Sequence, residues 1–180
     1  MESFILLDTE TTGLDDTAEI VEISIIDHLG HVLLDTLVKP TKPIPSSATA
    51  IHGITDDIVA SAPSYADIHS KVLALLEQGT CYIYNSSYDT RLIRQTAALH
   101  GLSFDSNKYS FWCVMEDYAH EFNQGYWEKL VYAYSHALDV TKNERINLKA
   151  HRSLADCYMT LEVVHLLQSH TEMFTKEIGK

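Results

Sequence analysis

The stretch Phe4-Ile5-Leu6-Leu7-Asp8-Thr9-Glu10-Thr11-Thr12-Gly13 runs four apolar residues without a break and then stops at a carboxylate. A strand buried on both faces reads this way, and a carboxylate at its end marks where the chain emerges into a cleft. Asp8 and Glu10 are two apart, so on an extended backbone their side chains leave the same face. Two carboxylates so placed repel each other unless a cation sits between them. A hard divalent cation with oxygen ligands, Mg2+ or Mn2+, is the natural candidate. Thr11, Thr12 and Gly13 add hydroxyls, backbone N–H groups and a turn that can approach a ligand closely. Taken alone, Asp-Thr-Glu also fits an ordinary polar turn, so later carboxylates and a histidine must decide.

Working outward, residues 4–7 form the first strand and residues 9–17 a polar loop. Residues 19–27 and 32–38 are rich in Ile, Val and Leu and read as two more strands, linked at His28–His31. Short links favour an antiparallel meander with the first strand central. Glu22 and Asp27 are expected on its solvent face. Residues 39–45 hold three of the four prolines and should cross the surface without pairing. A short helical turn at 46–50 and a second capped at Thr55-Asp56-Asp57 precede a helix over 64–76. A buried strand at 81–84, a helix at 89–100 and a last strand at 109–113 follow. Helices are expected over 114–122, 126–140 and 153–169, with 144–150 as a connection and Ser153 as an N-cap. The order points to an α/β sandwich, a mixed sheet with helices on its faces, in a single domain over residues 1–180.

The chain carries 25 Asp and Glu against 13 Lys and Arg, a net charge of −12, and 46% of its residues are hydrophobic. That supports a globular core and excludes a general electrostatic grip on nucleic acid. A polynucleotide partner would have to be held by metal ions and local contacts, or by another subunit's basic surface. Cys81, Cys113 and Cys157 lack zinc spacing and read as buried free thiols. No leader and no bilayer-spanning run is legible, so no membrane partner and a cytoplasmic location are expected. Tyr118, Phe122, Tyr126, Trp127, Tyr132 and Tyr134 could stack on bases, but without a basic run among them they are expected in the core.

Asp89 sits where a strand gives way to a helix, and Asp156 in the first turn of the last helix; helix capping alone would explain either. His151 lies five residues before Asp156 and, in the loop ahead of that helix, would face the same cleft. Together with Asp8 and Glu10 they make a coherent site. Four carboxylates can hold two divalent ions roughly 4 Å apart for in-line phosphoryl displacement. A histidine titrating near neutrality can take the proton of the attacking water.

These residues resemble the motifs of the DEDDh-type (DnaQ-like) 3′→5′ exonucleases, the family of exonuclease X and of the proofreading epsilon subunit of bacterial DNA polymerase III. Asp8–Leu14 (Asp-Thr-Glu-Thr-Thr-Gly-Leu) matches the first motif without substitution. Asn85–Asp89 resembles the second, with Tyr88 for the usual Phe. Ala150–Asp156 matches the third, His-x4-Asp. Ile51-His52-Gly53-Ile54-Thr55 is similar to the family's substrate loop, and Trp112-Cys113-Val114-Met115 to a segment of exonuclease X. Tyr84 departs, since relatives often carry His there.

The resemblance implies an RNase H-like (ribonuclease H-like) fold and hydrolysis of terminal phosphodiesters in single-stranded or frayed DNA, releasing nucleoside 5′-monophosphates, in proofreading or repair. It implies Asp8, Glu10, Asp89 and Asp156 as ligands of two divalent ions, Mg2+ or Mn2+, with Asp8 bridging, Glu10 and Asp156 completing the first site and Asp89 supporting the second. His151 is implied as the general base. Thr11 and Thr12 would hold the terminal nucleotide, Leu14 and Ile54 would pack on its base, and His52 and Asn85 would line the pocket. The implied partners are a DNA or RNA 3′ end, a DNA polymerase or other replication or repair subunit, and a second copy of the chain as a homodimer. An RNA 3′-end processor of the RNase T or oligoribonuclease kind remains open on the same residues, as does an inactive nucleic-acid-binding or scaffold domain.

Overall fold

The computed structural model describes residues 3–143, 148 and 150–178, with side chains as far as residue 170. Among the described residues, five strands form one mixed sheet: β1 (Phe4–Thr11), β2 (Ile20–Asp27), β3 (Val32–Leu37), β4 (Thr80–Ile83) and β5 (Phe111–Cys113), in the order β3-β2-β1-β4-β5. β1, β2 and β3 pair antiparallel, whereas β4 runs parallel to both β1 and β5. The first strand is central, as its unbroken apolar run requires. The helices are α1 (Ser46–His52), α2 (Asp56–Val59), α3 (Tyr65–Leu76), α4 (Ser86–Leu99), α5 (Val114–Phe122), α6 (Leu130–Thr141) and α7 (Ser153–Ile178).

Alternation along β1 divides the interior into two cores. Ile5 and Leu7 face Val72 and Leu76 of α3 and Leu92 and Ile93 of α4. Phe4 and Leu6 face α5, α6 and α7 through residues such as Val114, Ala133 and Cys157. Both faces of the sheet are therefore covered, which matches the RNase H-like arrangement. A third cluster, Val21, Ile44, Ala48, Ile54 and Val59, lies under α1 and α2. Its origin is an irregularity in pairing: Glu10 faces Glu22 but Thr11 faces Ile20, leaving Val21 as the extra residue. Such a bulge changes the phase of alternation, so Val21 turns away from its strand neighbours towards α1 and α2.

Several boundaries differ from expectation. β1 continues to Thr11 rather than ending at residue 7, because β2 supplies backbone partners beside Asp8 and Glu10 whatever their side chains. α4 starts at Ser86, where the Asn85 carbonyl accepts from the Tyr88 and Asp89 amides, so Asp89 falls in the first turn. β5 covers Phe111–Cys113 only, and α6 starts at Leu130. α7 runs on to Ile178. Of the expected connection, residues 144–147 and 149 lie outside the described residues. Among the described residues no helix is long and apolar enough to cross a membrane.

Candidate active site

The carboxyl ends of the parallel strands β1 and β4 point the same way, and β1 outruns β4. The pairing with β4 stops at Leu6–Tyr82, so Asp8, Thr9 and Glu10 have β2 on one side and an open edge on the other. Asp8 and Glu10 project on the α7 face. There the first turn of α7 presents Asp156, and one oxygen from each of Asp8, Glu10 and Asp156 lies within 4.8 Å of the others. Asp89 enters from α4, where it is buried, and accepts a hydrogen bond from the Thr9 hydroxyl at 2.7 Å.

Crowding four acids into this cleft is electrostatically costly without a cation. Burial pushes the Asp8 carboxyl well above the usual range, and Asp89, Asp156 and Glu10 add to the shift. Glu10 is pushed up to about 8 by burial and then by Asp156 and Glu22. Asp89 and Asp156 are raised chiefly by burial, opposed by the Thr9 hydroxyl and the His151 amide respectively. A set of hard oxygen donors, with repulsion waiting to be cancelled, fits divalent cations of the Mg2+ or Mn2+ kind.

His151 precedes α7 and is exposed. Its backbone is left-handed, with φ of 62°, and its amide donates to Asp156 Oδ1 at 3.3 Å. That conformation is uncommon outside glycine and carries a strain of order 1–3 kcal/mol, a feature that clusters at functional sites. It turns the chain so that His151 and Asp156 share one cavity.

Two cavities flank the acids. One, of 580 Å³, is lined by Glu10, Thr11, Thr12, Leu14, His52 and Asn85, among others. The other, of 690 Å³, includes Asn85, Trp127, Lys129, Tyr132, His151 and Asp156 in its lining. Glu10 borders the first and Asp156 the second, so the acidic cluster joins them into one groove.

The expected substrate residues separate on inspection. Leu14 is exposed at the rim of the first cavity. Thr11 Oγ1 bonds to the Tyr88 hydroxyl at 2.6 Å and to the Gly13 carbonyl, and Thr12 Oγ1 accepts from the Glu19 amide, so both hydroxyls shape the turn. The His52 ring is buried and bridges two backbones: Nδ1 accepts from the Ile54 amide at 3.0 Å, which leaves Nε2–H to donate to the Thr11 carbonyl at 3.2 Å. Burial lowers its pKa, in keeping with this neutral tautomer. Ile54 does not reach the groove. It is 2% exposed within the third cluster, because Gly53, at φ 77°, ends α1 and turns the chain inward. Ile51, one helical turn's end earlier and 60% exposed, lines the cavity instead.

Glu22, expected on a solvent face, is 3% exposed. It stands opposite Glu10 across β1 and β2, and helix α7 covers that face. Its carboxylate accepts from the Arg152 guanidinium and from the Ser153 amide at 2.9 Å. Glu22 thereby supplies the start of α7 with the acceptor expected from Ser153, whose hydroxyl is instead bonded to Ser24 Oγ at 2.7 Å. The sequence assigns no role to Thr9 or Arg152, shows Ile51 only as part of the loop segment, and sets Glu22 in solvent, although period-2 alternation already puts Glu22 on the face of Ser24 and Ile26.

Sheet order and helical cover are those of the RNase H-like class, and the acidic groove with a neighbouring histidine suits metal-dependent phosphodiester chemistry. The RNase_T exonuclease family model matches residues 5–164, and the chain belongs to this DnaQ-like exonuclease family. The uncharacterized exonuclease CP81 of Escherichia phage 186 is 50% identical over 173 residues, covering 91% of this chain and 87% of that protein. A DNA polymerase III subunit epsilon-like protein of Rhodobacter capsulatus is 34% identical over 111 residues, 58% of this chain and 16% of its own length. Among solved structures, exonuclease X in complex with 5′ overhanging duplex DNA superposes with a TM-score of 0.69 at 24% identity, covering 94% of this chain and 93% of that one. Escherichia coli exonuclease I, in its zinc-bound complex with single-stranded DNA, gives 0.74 at 17% identity over 97% of this chain and 42% of that one. These two structural likenesses concern the fold. The protein is therefore an exonuclease, a hydrolase of phosphodiester bonds.

Proposed function

We propose that this exonuclease removes nucleotides one at a time from the 3′ end of single-stranded or frayed DNA, releasing nucleoside 5′-monophosphates. Asp8, Glu10, Asp89 and Asp156 would hold two divalent cations, Mg2+ or Mn2+. When bound, these supply an acidified water and charge neutralisation at the reacting phosphate. The observation that carries the reading is the convergence of Asp8, Glu10 and Asp156 at the junction of two cavities, with His151 beside Asp156.

The first cavity takes the terminal nucleoside, against Leu14 and Ile51 and over the turn shaped by Thr11, Thr12 and His52, with Asn85 at the border. Water attacks the last phosphorus and its proton passes to an imidazole nitrogen of His151. The bond to the upstream 3′ oxygen breaks, and that oxygen leaves with the electron pair. DNA rather than RNA is favoured by the relatives, which include epsilon subunits of DNA polymerase III, and by the DNA-bound neighbours. The same relatives support a polymerase or repair subunit as partner and proofreading or repair as the setting. Residues 1–180 act in this reading as one exonuclease domain.

The test is digestion of matched 5′-labelled DNA and RNA strands by the purified chain, with Mg2+, Mn2+ or chelator. Stepwise shortening of DNA that stops in chelator and in Asp8→Ala is expected. Internal cuts, or turnover retained in Asp8→Ala, would refute the reading; faster loss of RNA would move the substrate to RNA.

A further inference from the structure

The aromatic residues before and within α6 do not all join the core. Tyr118, Phe122 and Tyr134 pack into the α5–α7 cluster, but Tyr126, Trp127 and Tyr132 are 73%, 70% and 62% exposed. For Tyr126 and Trp127 the physical reason is that α6 begins only at Leu130, so residues 126–129 form a surface connection rather than a helix face; Tyr132 is in the first turn of α6, on the side away from its buried Ala133 and Ala137. Trp127 and Tyr132 border the 690 Å³ cavity that also contains His151 and Asp156. Its other flank is Asn85, shared with the terminal-nucleoside cavity. A strand whose 3′ nucleotide filled the first cavity would cross the acids towards this second cavity.

Trp127 is held in place from both sides. Asn123 Nδ2 donates to the Tyr126 carbonyl at 2.8 Å, and the Tyr84 hydroxyl donates to the Glu128 carbonyl at 2.8 Å. The Tyr84 phenol thereby ties the connection to the end of β4. Lys129 follows, the only Lys or Arg among the described residues lining the cavity.

Resting on the exonuclease reading above, we propose that Trp127 and Tyr132 form a stacking platform for the nucleotides immediately upstream of the scissile phosphodiester, with Lys129 facing their phosphate. The charge of the molecule favours such a device. At a net charge of −12 the protein gains little from counterion release, the usual source of affinity for a polyanion. Base–aromatic stacking needs no net positive charge and accepts any base.

The test compares the full wild-type chain with Trp127→Ala and Trp127→Phe on two substrates. One is a short 5′-labelled DNA strand. The other is the p-nitrophenyl ester of thymidine 5′-monophosphate, in which nitrophenolate replaces the upstream nucleotide as leaving group. The ratio of kcat/KM for strand over ester should fall about tenfold in Trp127→Ala, mainly through KM, and recover in Trp127→Phe. An unchanged ratio, or an equal fall on both substrates, overturns the platform. Strand binding by fluorescence polarisation, with Ca2+ replacing Mg2+, gives an answer independent of turnover. Affinity lost in the Ala variant and regained in the Phe variant supports the platform even if the wild type cleaves neither substrate, an outcome that would sink the exonuclease reading alone. Equal affinity in all three chains overturns it.

Discussion

Glu22 on β2 grips Arg152 at the start of α7: its two carboxylate oxygens accept from the guanidinium Nε at 3.0 and 3.1 Å, and one accepts from the terminal nitrogen as well. The contact spans the chain from the second strand to the last helix. It fixes the segment on which His151 and Asp156 sit, beside the strand that carries Asp8 and Glu10. An anion at a helix N-terminus is also favoured by the helix dipole.

Arg152→Ala should therefore destabilise the fold by about 2–3 kcal/mol, since Glu22 would remain buried near Asp8, Glu10 and Asp156 with no cation beside it and only the Ser153 amide as donor. A lowered melting temperature and a weaker response to added Mn2+ are expected. A melting temperature equal to that of the wild type would show that the pair clamps nothing.

Metal-free stability should fall as pH rises. A carboxyl with a higher pKa in the folded than in the unfolded state binds its proton more tightly when folded, so the native state loses ground as that proton leaves. For Glu10 the window runs from its ordinary 4.5 to about 8, and the raised pKa of Asp8 acts in the same sense. Divalent cations compete with those protons and cancel the repulsion. The gain in melting temperature on adding Mn2+ to chelated protein should be larger at pH 8 than at pH 5; the reverse order would contradict the ligand assignment.

Thr9→Val removes the hydroxyl that donates to Asp89 while keeping the shape of the side chain. About tenfold more Mn2+ should then be needed for half-maximal activity, with little change in melting temperature. An unaltered metal titration would mean that Thr9 does not orient Asp89.

His151→Gly separates chemistry from folding. Glycine accepts φ of 62° without strain, so stability should hold, while turnover should fall by about 10²- to 10⁴-fold and strand binding persist. Unchanged turnover would remove His151 as the base.

Ile51 and Ile54 should part company on truncation. Ile54→Ala empties a packed cluster and should cost about 2–5 kcal/mol of stability. Ile51→Ala, at an exposed cavity wall, should leave stability nearly intact and raise KM for the strand. Equal effects on KM from both would restore Ile54 to the pocket.

The legible part of the fold was the part written in local pattern. The apolar run at residues 4–7 marked the central strand, and the Ile- and Val-rich runs after it marked the meander. Asp89, His151 and Asp156 are legible because each stands at or just before a helix start, and Asp8 and Glu10 because they break an apolar run on one face of a strand, where a carboxylate in a cleft needs a reason. Glu22 is not, since an isolated Glu on an alternating strand reads as solvent-facing until a helix is known to cover that face. Trp127 and Tyr132 mislead for the converse reason: aromatic residues at helical spacing read as core, but Trp127 precedes the helix that starts at Leu130 and Tyr132 lies on the outward side of its first turn.

By itself the sequence determined which stretches form strands and helices, and in what order, because periodicity and capping are local properties of a chain; it left their exact ends to the fold. Only the tertiary structure decided that the acids on β1 and α7 converge within 4.8 Å, that Glu22 reaches Arg152, and that Ile51 rather than Ile54 faces the groove. Those outcomes depend on strand register, a one-residue bulge and the turn at Gly53, and such contacts between distant segments exist only once the sheet has closed around its two cores.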